Sequence, residues 1–148
     1  MITFAQLLSM APSGLYQLNG NWRSRALDKL CHLKGVRLFR IDGGDVHDKR
    51  RFLVRGAQAM GFPDGFGVNW DAFADRVTDL GWAPAGAYVV ILGEMQDFAA
   101  QAPQAFRTAL SILEEGARFW SERAVPFHVL LAEEATAPAG ALPVVRVP

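Results

Sequence analysis

The sequence predicts an α/β fold with a small, mostly parallel sheet packed by helices in two or three layers. Three short segments are almost continuously apolar, as expected for strands buried on both faces of a parallel sheet: residues 36–41, 87–92 and 127–131. Segments with the helical spacing of apolar residues lie between them. Strands that alternate with helices are typical of α/β proteins.

Length and composition set the first limits on function. The chain has 148 residues, of which 51% are hydrophobic and 20% charged, so we expect one folded domain over residues 1–148. Lys and Arg together number 15, as do Asp and Glu, and this balance argues against a general nucleic-acid binder. Residues 2–10 lack the basic start of a signal peptide, and no apolar run reaches the roughly 20 residues that a membrane span needs. With Cys31 as the lone cysteine, these features predict a cytoplasmic protein without membrane contact.

The balanced total hides an uneven distribution of charge. Residues 1–55 carry ten Lys or Arg against four Asp or Glu, whereas residues 56–148 carry five against eleven. Such a division either reflects charged surfaces with different roles or is averaged out when the chain folds.

Further elements are predicted in the chain before the first and after the last of the three core strands. A strand at residues 15–18 and a helix at residues 22–33 predict an N-terminal extension, 1–35, that adds a fourth strand to a core over 36–132. The tail, 133–148, is rich in Ala, Pro and Gly, and its residues 142–147 have the composition of a possible edge strand.

Two helices of the core have recognisable starts. Asp45 is the predicted cap of a helix over residues 45–60. Pro103 is tolerated in a first turn and is expected to begin a long helix that ends near residue 122.

An acidic stripe on a further helix, predicted over residues 69–80 with Asn69 as its cap, is the feature most relevant to function. Asp71, Asp75 and Asp79 share one face at i, i+4 and i+8, opposite an apolar face. Carboxylates at this spacing repel one another, and only Arg76 lies nearby as compensation. The stripe therefore favours a partner that supplies positive charge; the alternative is an ordinary solvated face.

The preceding loop, residues 63–68, places Gly65 and Gly67 around Phe66. Glycines permit tight backbone geometry and the close approach of a partner. Phe66 is a candidate contact residue, although a loop aromatic also commonly fills a core.

The most specific motif of the sequence is the string Phe-Pro-x-x-Phe-Gly-x-Asn-Trp-Asp-Ala-Phe-x-Asp from Phe62, followed by Asp-Leu-Gly-Trp. It resembles the binding loop and second helix of the barstar (barnase inhibitor) family, and the resemblance covers residues 36–131. It implies a barstar-like fold and a protein partner, a ribonuclease whose active site is plugged by an acidic helix and its adjoining loop. Carboxylates of the inhibitor then stand where substrate phosphates would lie.

The resemblance also implies roles for individual residues. Asp75 matches the family's dominant aspartate, Asp71 matches a second one, and Glu115 is the nearest match to a glutamate late in the long helix. The expected partner-binding residues are Gly65, Phe66, Val68, Asn69, Asp71, Ala74, Asp75, Asp79 and Glu115.

Three positions depart from the founding inhibitor. Gly65 replaces a tyrosine, Ala74 a tryptophan and Val68 an acidic residue. Because aromatic anchors usually carry much of an interface's binding energy, these departures leave room for a target other than a barnase-like enzyme.

No enzyme motif accompanies these features. The chain has no HExxH, paired CxxC, phosphate-binding loop or GxSxG, so we predict no catalytic residue, metal site or cofactor. The expected function is that of a ribonuclease inhibitor of the immunity-protein type. The alternative is a non-inhibitory binding or regulatory module on the same fold.

Overall fold

Six strands form one fully parallel sheet in the computed structural model, which describes residues 1–138 and 140–148. Ala139, within the predicted tail, lies outside the described residues. The order across the sheet is β1-β6-β2-β5-β4-β3. The strands are β1 (Ile2–Thr3), β2 (Gly14–Asn19), β3 (Val36–Asp42), β4 (Ala87–Gly93), β5 (Phe127–Leu131) and β6 (Val144–Arg146).

The expectation of three strands plus one is wrong in number. The additional strands, β1 and β6, have two and three residues, too few to show the periodicity by which a strand is recognised in a sequence. Residues 142–147 do contain a strand, but β6 lies between β1 and β2 and is not an edge. The edges are β1 and β3.

Within residues 1–138 and 140–148, six α-helices lie between the strands. They are α1 (Phe4–Met10), α2 (Arg25–Leu33), α3 (Lys49–Met60), α4 (Trp70–Val77), α5 (Gln96–Gln101) and α6 (Pro103–Ser121). A short 3-10 helix follows β5.

The cap predicted for α3 is corrected by the structure. Asp48, not Asp45, caps this helix, because its carboxylate accepts a hydrogen bond from the Arg51 amide at 2.8 Å. Asp45 lies in the preceding turn with a left-handed φ of 65°, a conformation that short polar side chains tolerate better than most. Helix α2 likewise starts later than predicted, with Ser24 as its cap.

Two apolar cores, one on each side of the sheet, make the fold three-layered. Helices α3–α6 cover one face, where Phe52, Phe73 and Leu113 are fully buried, and α1 and α2 cover the other through Leu7 and Leu27. Strands β4 and β5 are buried along their whole length and supply alternate residues to the two cores, as the continuous apolar runs indicated. Across the described residues, no helix has the length and apolarity to cross a membrane.

Candidate partner-binding site

Helix α4 presents the acidic stripe and begins as the sequence predicts. The Asn69 side-chain oxygen accepts a hydrogen bond from the Ala72 amide at 2.8 Å, which satisfies one of the free donors of the first turn. The helix is shorter than expected, since it ends at Val77 and Thr78 is its C-cap. Leu80 has a left-handed φ of 54°, so residues 78–80 turn away from the helix axis.

Close packing fixes α4 against its neighbours. Phe73 and Val77 are fully buried on its inner face. A Cβ added at Gly56 of α3 would lie 3.3 Å from Phe73 Cε1, and one at Gly116 of α6 would lie 2.6 Å from Val77 Cγ1. The two flanking helices thus approach α4 closely where they carry a glycine.

The outer face of α4 leaves two carboxylates unpaired. Asp71 and Asp75 are exposed, and no described residue forms an ion pair with either. Arg76, the compensating charge expected from the sequence, places its guanidinium 5.9 Å from the Trp82 ring centroid. Asp71 gains from its place in the first turn of the helix, whereas Asp75, in the middle, does not.

Asp79 lies apart from the other two aspartates. It follows the C-cap, and its carboxylate accepts a hydrogen bond from the Gly81 amide at 3.2 Å. Asp79 is exposed but belongs to the turn after α4, so the helix itself carries two acidic residues of the predicted stripe.

The loop before α4 turns its apolar side chains inward. Phe66 is partly buried and meets the Phe62 ring edge-on, with 5.1 Å between centroids, which is the core-filling arrangement. Val68 is also partly buried against this core. Gly65 is exposed with φ of 90°, and a Cβ built there would meet nothing within 4 Å. The solvent side of the loop is therefore bare backbone around Gly65.

The remaining predicted contact residues lie at the rim of α4. Ala74 is half-buried, and its carbonyl accepts a hydrogen bond from the Thr78 hydroxyl at 3.1 Å. Glu115 is exposed on α6, directly before the glycine that contacts Val77. It therefore belongs to the helix that packs against α4.

Two residues relevant to this face were missed in the sequence. Asp64 is an exposed carboxylate in the loop itself, and its proximity to Asp71 in the chain was the available signal. Trp120 donates its indole N–H to the Val77 carbonyl at 2.9 Å and so holds the end of α4. A contact across 43 residues leaves no local trace in the sequence.

Basic residues of the N-terminal extension differ in their surroundings. Arg23 pairs with Asp42 at 3.0 Å and with Glu94 at 3.6 Å, and its guanidinium lies 4.1 Å from the centroid of the Trp22 ring. Arg25 is exposed on α2. Arg23 therefore joins two strand ends and is not a free solvated charge.

Cys31, the one cysteine of the sequence, is buried. Burial raises the pKa of the Cys31 thiol to about 11, which keeps it protonated and unreactive at neutral pH. Over residues 1–138 and 140–148, no three His, Cys, Asp or Glu side chains are grouped so as to hold a metal ion.

The family model for Barstar (barnase inhibitor) matches residues 36–132. The chain belongs to the barstar family. The matched region contains the loop, α4 and Glu115, while the N-terminal extension and the tail lie outside it. Barstar-family membership thus agrees with the resemblance recognised in the sequence, including its bounds.

The solved structures similar to this barstar-family chain show the fold alone. Two of them are structures of the Aeropyrum pernix ORC2 protein, as ADPNP-ADP complexes and in the ADP form, with TM-scores of 0.57 and 0.53. Both are 17% identical and cover 89% of this chain, which spans 38% and 39% of theirs. No curated protein matches the chain significantly.

Proposed function

We propose that this barstar-family protein inhibits a ribonuclease by plugging its basic active site, one to one, with α4 and the loop over residues 63–68. The observation that carries the proposal is the exposed, unpaired pair Asp71 and Asp75 on a firmly packed helix. The protein itself performs no catalysis.

Electrostatics supports this assignment. A ribonuclease active site presents cationic groups to the phosphates of RNA, and carboxylates on the inhibitor offer the same groups an alternative anion. A charged hydrogen bond of this kind contributes about 1.5–3 kcal/mol when geometry is good. Because packing of Phe73 and Val77 fixes α4 before the partner binds, little backbone conformational entropy is lost on binding.

The rim of the interface follows from the surrounding residues. Asp79, in the turn after α4, and Glu115, on α6, add negative charge at the margins of this face, and the bare backbone at Gly65 lets the partner approach closely. Phe66 and Val68 shape the loop from inside, Asn69 fixes its junction with α4 as the helix cap, and Ala74 leaves space where the founding inhibitor has an aromatic ring.

The proposal also covers the domain organisation and the cellular location of the protein. Residues 1–148 act as one domain in which the N-terminal extension and the tail widen the sheet of the 36–132 core. We place the protein in the cytoplasm, where the buried thiol of Cys31 stays reduced, with no direct contact to nucleic acid or membrane.

A second candidate function is a non-inhibitory binding or regulatory module. The observation that favours it is the loss of two aromatic anchors at Gly65 and Ala74, since such anchors supply much of an interface's affinity. In this case the acidic face binds a basic protein surface that is not an active site.

The experiment combines purified protein with candidate ribonucleases, beginning with any encoded beside it. We expect a one-to-one complex in which RNA cleavage stops, and we expect Asp75→Ala to weaken it. A complex that leaves cleavage intact selects the second candidate. Failure of Asp75→Ala to weaken a detected complex overturns the assigned face.

A further inference from the structure

Three cations occupy the first turn of α3. Lys49, Arg50 and Arg51 are its first three residues, all exposed, and no acidic residue lies in this turn. The helix dipole is positive at this end and disfavours cations there. Two of these cations have local partners, since Arg51 Nε lies 4.0 Å from the Asp48 carboxylate and Lys49 Nζ lies 5.8 Å from the centroid of the Trp70 ring. Arg50 has no such partner among the described residues, so an external anion is a source of compensation for its charge.

A shallow groove runs along the outer side of α3. It is lined by Asp45, Asp48, Arg50, Arg51, Val54 and Arg55. Val54 is a large hydrophobic residue that remains 37% exposed. An apolar spot surrounded by arginines is a composition typical of protein interfaces.

One arginine of the groove is held in place. Arg55 Nη1 donates to the Asp42 carbonyl at 2.8 Å and to the Gly44 carbonyl at 3.2 Å. By contrast, no described residue accepts a hydrogen bond from or pairs with the Arg50 guanidinium. The groove thus offers one preorganised and one free guanidinium.

This groove and the acidic face of α4 are separate surfaces. Gly56 is the residue of α3 that contacts Phe73 of α4. Val54 lies two residues earlier, about 200° around the helix axis, and so points away from α4. A protein bound to α4 leaves the outer side of α3 accessible.

We propose that the α3 groove docks an acidic protein segment with carboxylates for Arg50 and Arg55 and an apolar side chain for Val54. A protein segment fits better than a polyanion because Asp45 and Asp48 stand among the arginines. Asp45 and Asp48 repel the closely spaced phosphates of a nucleic acid, whereas the carboxylates of a protein segment can be spaced so that they lie away from both residues. The barstar-family chain would then hold two partners at once, one on each surface.

The test uses the full chain and a short synthetic peptide of glutamates with a central leucine. We expect the peptide to shift the backbone amide NMR signals of residues 45–58. Arg50→Glu should weaken its binding about tenfold, the loss of roughly one charged hydrogen bond. The same substitution places an anion in the first turn, so thermal stability should be unchanged or higher.

Arg25→Glu is the matched control, because Arg25 is also an exposed arginine in a first turn, that of α2. It should leave peptide binding intact, and so should Asp75→Ala on α4, which separates this proposal from the inhibitor function. Equal losses in Arg50→Glu and Arg25→Glu, or no shift in residues 45–58, overturn the proposal. So does tighter binding of a single-stranded RNA oligonucleotide at the same residues.

Discussion

The indole N–H of Trp120 donates a hydrogen bond to the carbonyl oxygen of Val77 at a distance of 2.9 Å. This contact joins the end of α6 to the last residue of α4. Carbonyl groups at a helix end lack partners within the helix, so Trp120 satisfies one that would otherwise be left in a partly buried place. The acidic face is thereby held at its C-terminal end by a residue of another helix.

Replacing Trp120 with Phe should lower the free energy of unfolding by about 1–2 kcal/mol, since the ring remains but the donor to Val77 is lost. Chemical denaturation measures the change, and hydrogen exchange should speed up for amides at the end of α4. Trp82→Phe is the control, because it removes an indole bond of 2.9 Å to the Met60 carbonyl instead. Equal exchange rates at the end of α4 in both variants would contradict the role of Trp120.

Gly116→Ala should destabilise the protein by about 1 kcal/mol, although alanine is the better helix former. The gain in helix propensity is about 1 kcal/mol, while overpacking typically costs about 1–3 kcal/mol. The new Cβ would lie 2.6 Å from Cγ1 of Val77, which is fully buried and has little room to shift. In a Val77→Ala background, Gly116→Ala should instead raise the free energy of unfolding. If it remains destabilising there, the contact between the new Cβ and Val77 is not responsible.

The central fold was predictable because its strands are buried on both faces. Strand β5 has the predicted bounds, and Asn69 caps α4 as expected, because both depend on local sequence. Strand β1 escaped prediction, and β6 was expected only as a possible edge strand, since pairing within the sheet, not composition, defines elements of two or three residues. The sheet order likewise depends on contacts between distant segments.

Within the candidate site, the places of residues in one continuous motif could be predicted, whereas contacts across the fold could not. The positions of Asp71 and Asp75 on α4 follow from spacing. The helix was predicted too long because Leu80 adopts a left-handed backbone that a leucine rarely shows. The stacking of Arg76 toward Trp82 and the bond from Trp120 arise only after folding.

His128 should make the protein less stable as pH falls from about 6.5 to 4. It is fully buried in β5, and burial lowers its pKa from 6.5 to about 4. As pH falls, His128 therefore takes up a proton in the unfolded chain before it does so in the folded protein. This difference favours unfolding throughout the window. The loss of folding stability levels off once His128 is also protonated in the folded protein. A shift of this size corresponds to roughly 3 kcal/mol.

Comparison with His128→Leu isolates this effect in denaturation curves recorded between neutral pH and pH 4. The variant should lack the loss of stability within that window. The contribution of Asp28 to stability is lost at lower pH, because the hydrogen bond from Arg40 holds the pKa of its carboxyl below 3.8. Parallel pH profiles for the two proteins would show that His128 is not the group that titrates.

Arg40→Lys should cost about 2 kcal/mol of stability, because Arg40 joins β3 to the start of α2 through its whole guanidinium. It contacts both Asp28 oxygens, at 2.7 and 3.0 Å, and donates to the Trp22 carbonyl at 2.8 Å and the Ser24 carbonyl at 2.9 Å. The ammonium group of a lysine cannot reproduce the planar arrangement of several N–H donors in the guanidinium. Arg37→Lys, at an exposed position of the same strand, should have almost no effect, and similar costs for both substitutions would show that the hydrogen bonds of Arg40 are not responsible.

The most direct test of the central claim is the dissociation constant of the ribonuclease complex for Asp75→Asn, measured beside Asp64→Asn. The first change keeps the shape of the side chain and removes its charge from α4, and the second removes an exposed charge from the neighbouring loop. We predict that Asp75→Asn weakens binding by about 2 kcal/mol, or roughly thirtyfold, and Asp64→Asn by much less. Equal, small effects of the two substitutions would contradict an interface centred on the acidic helix.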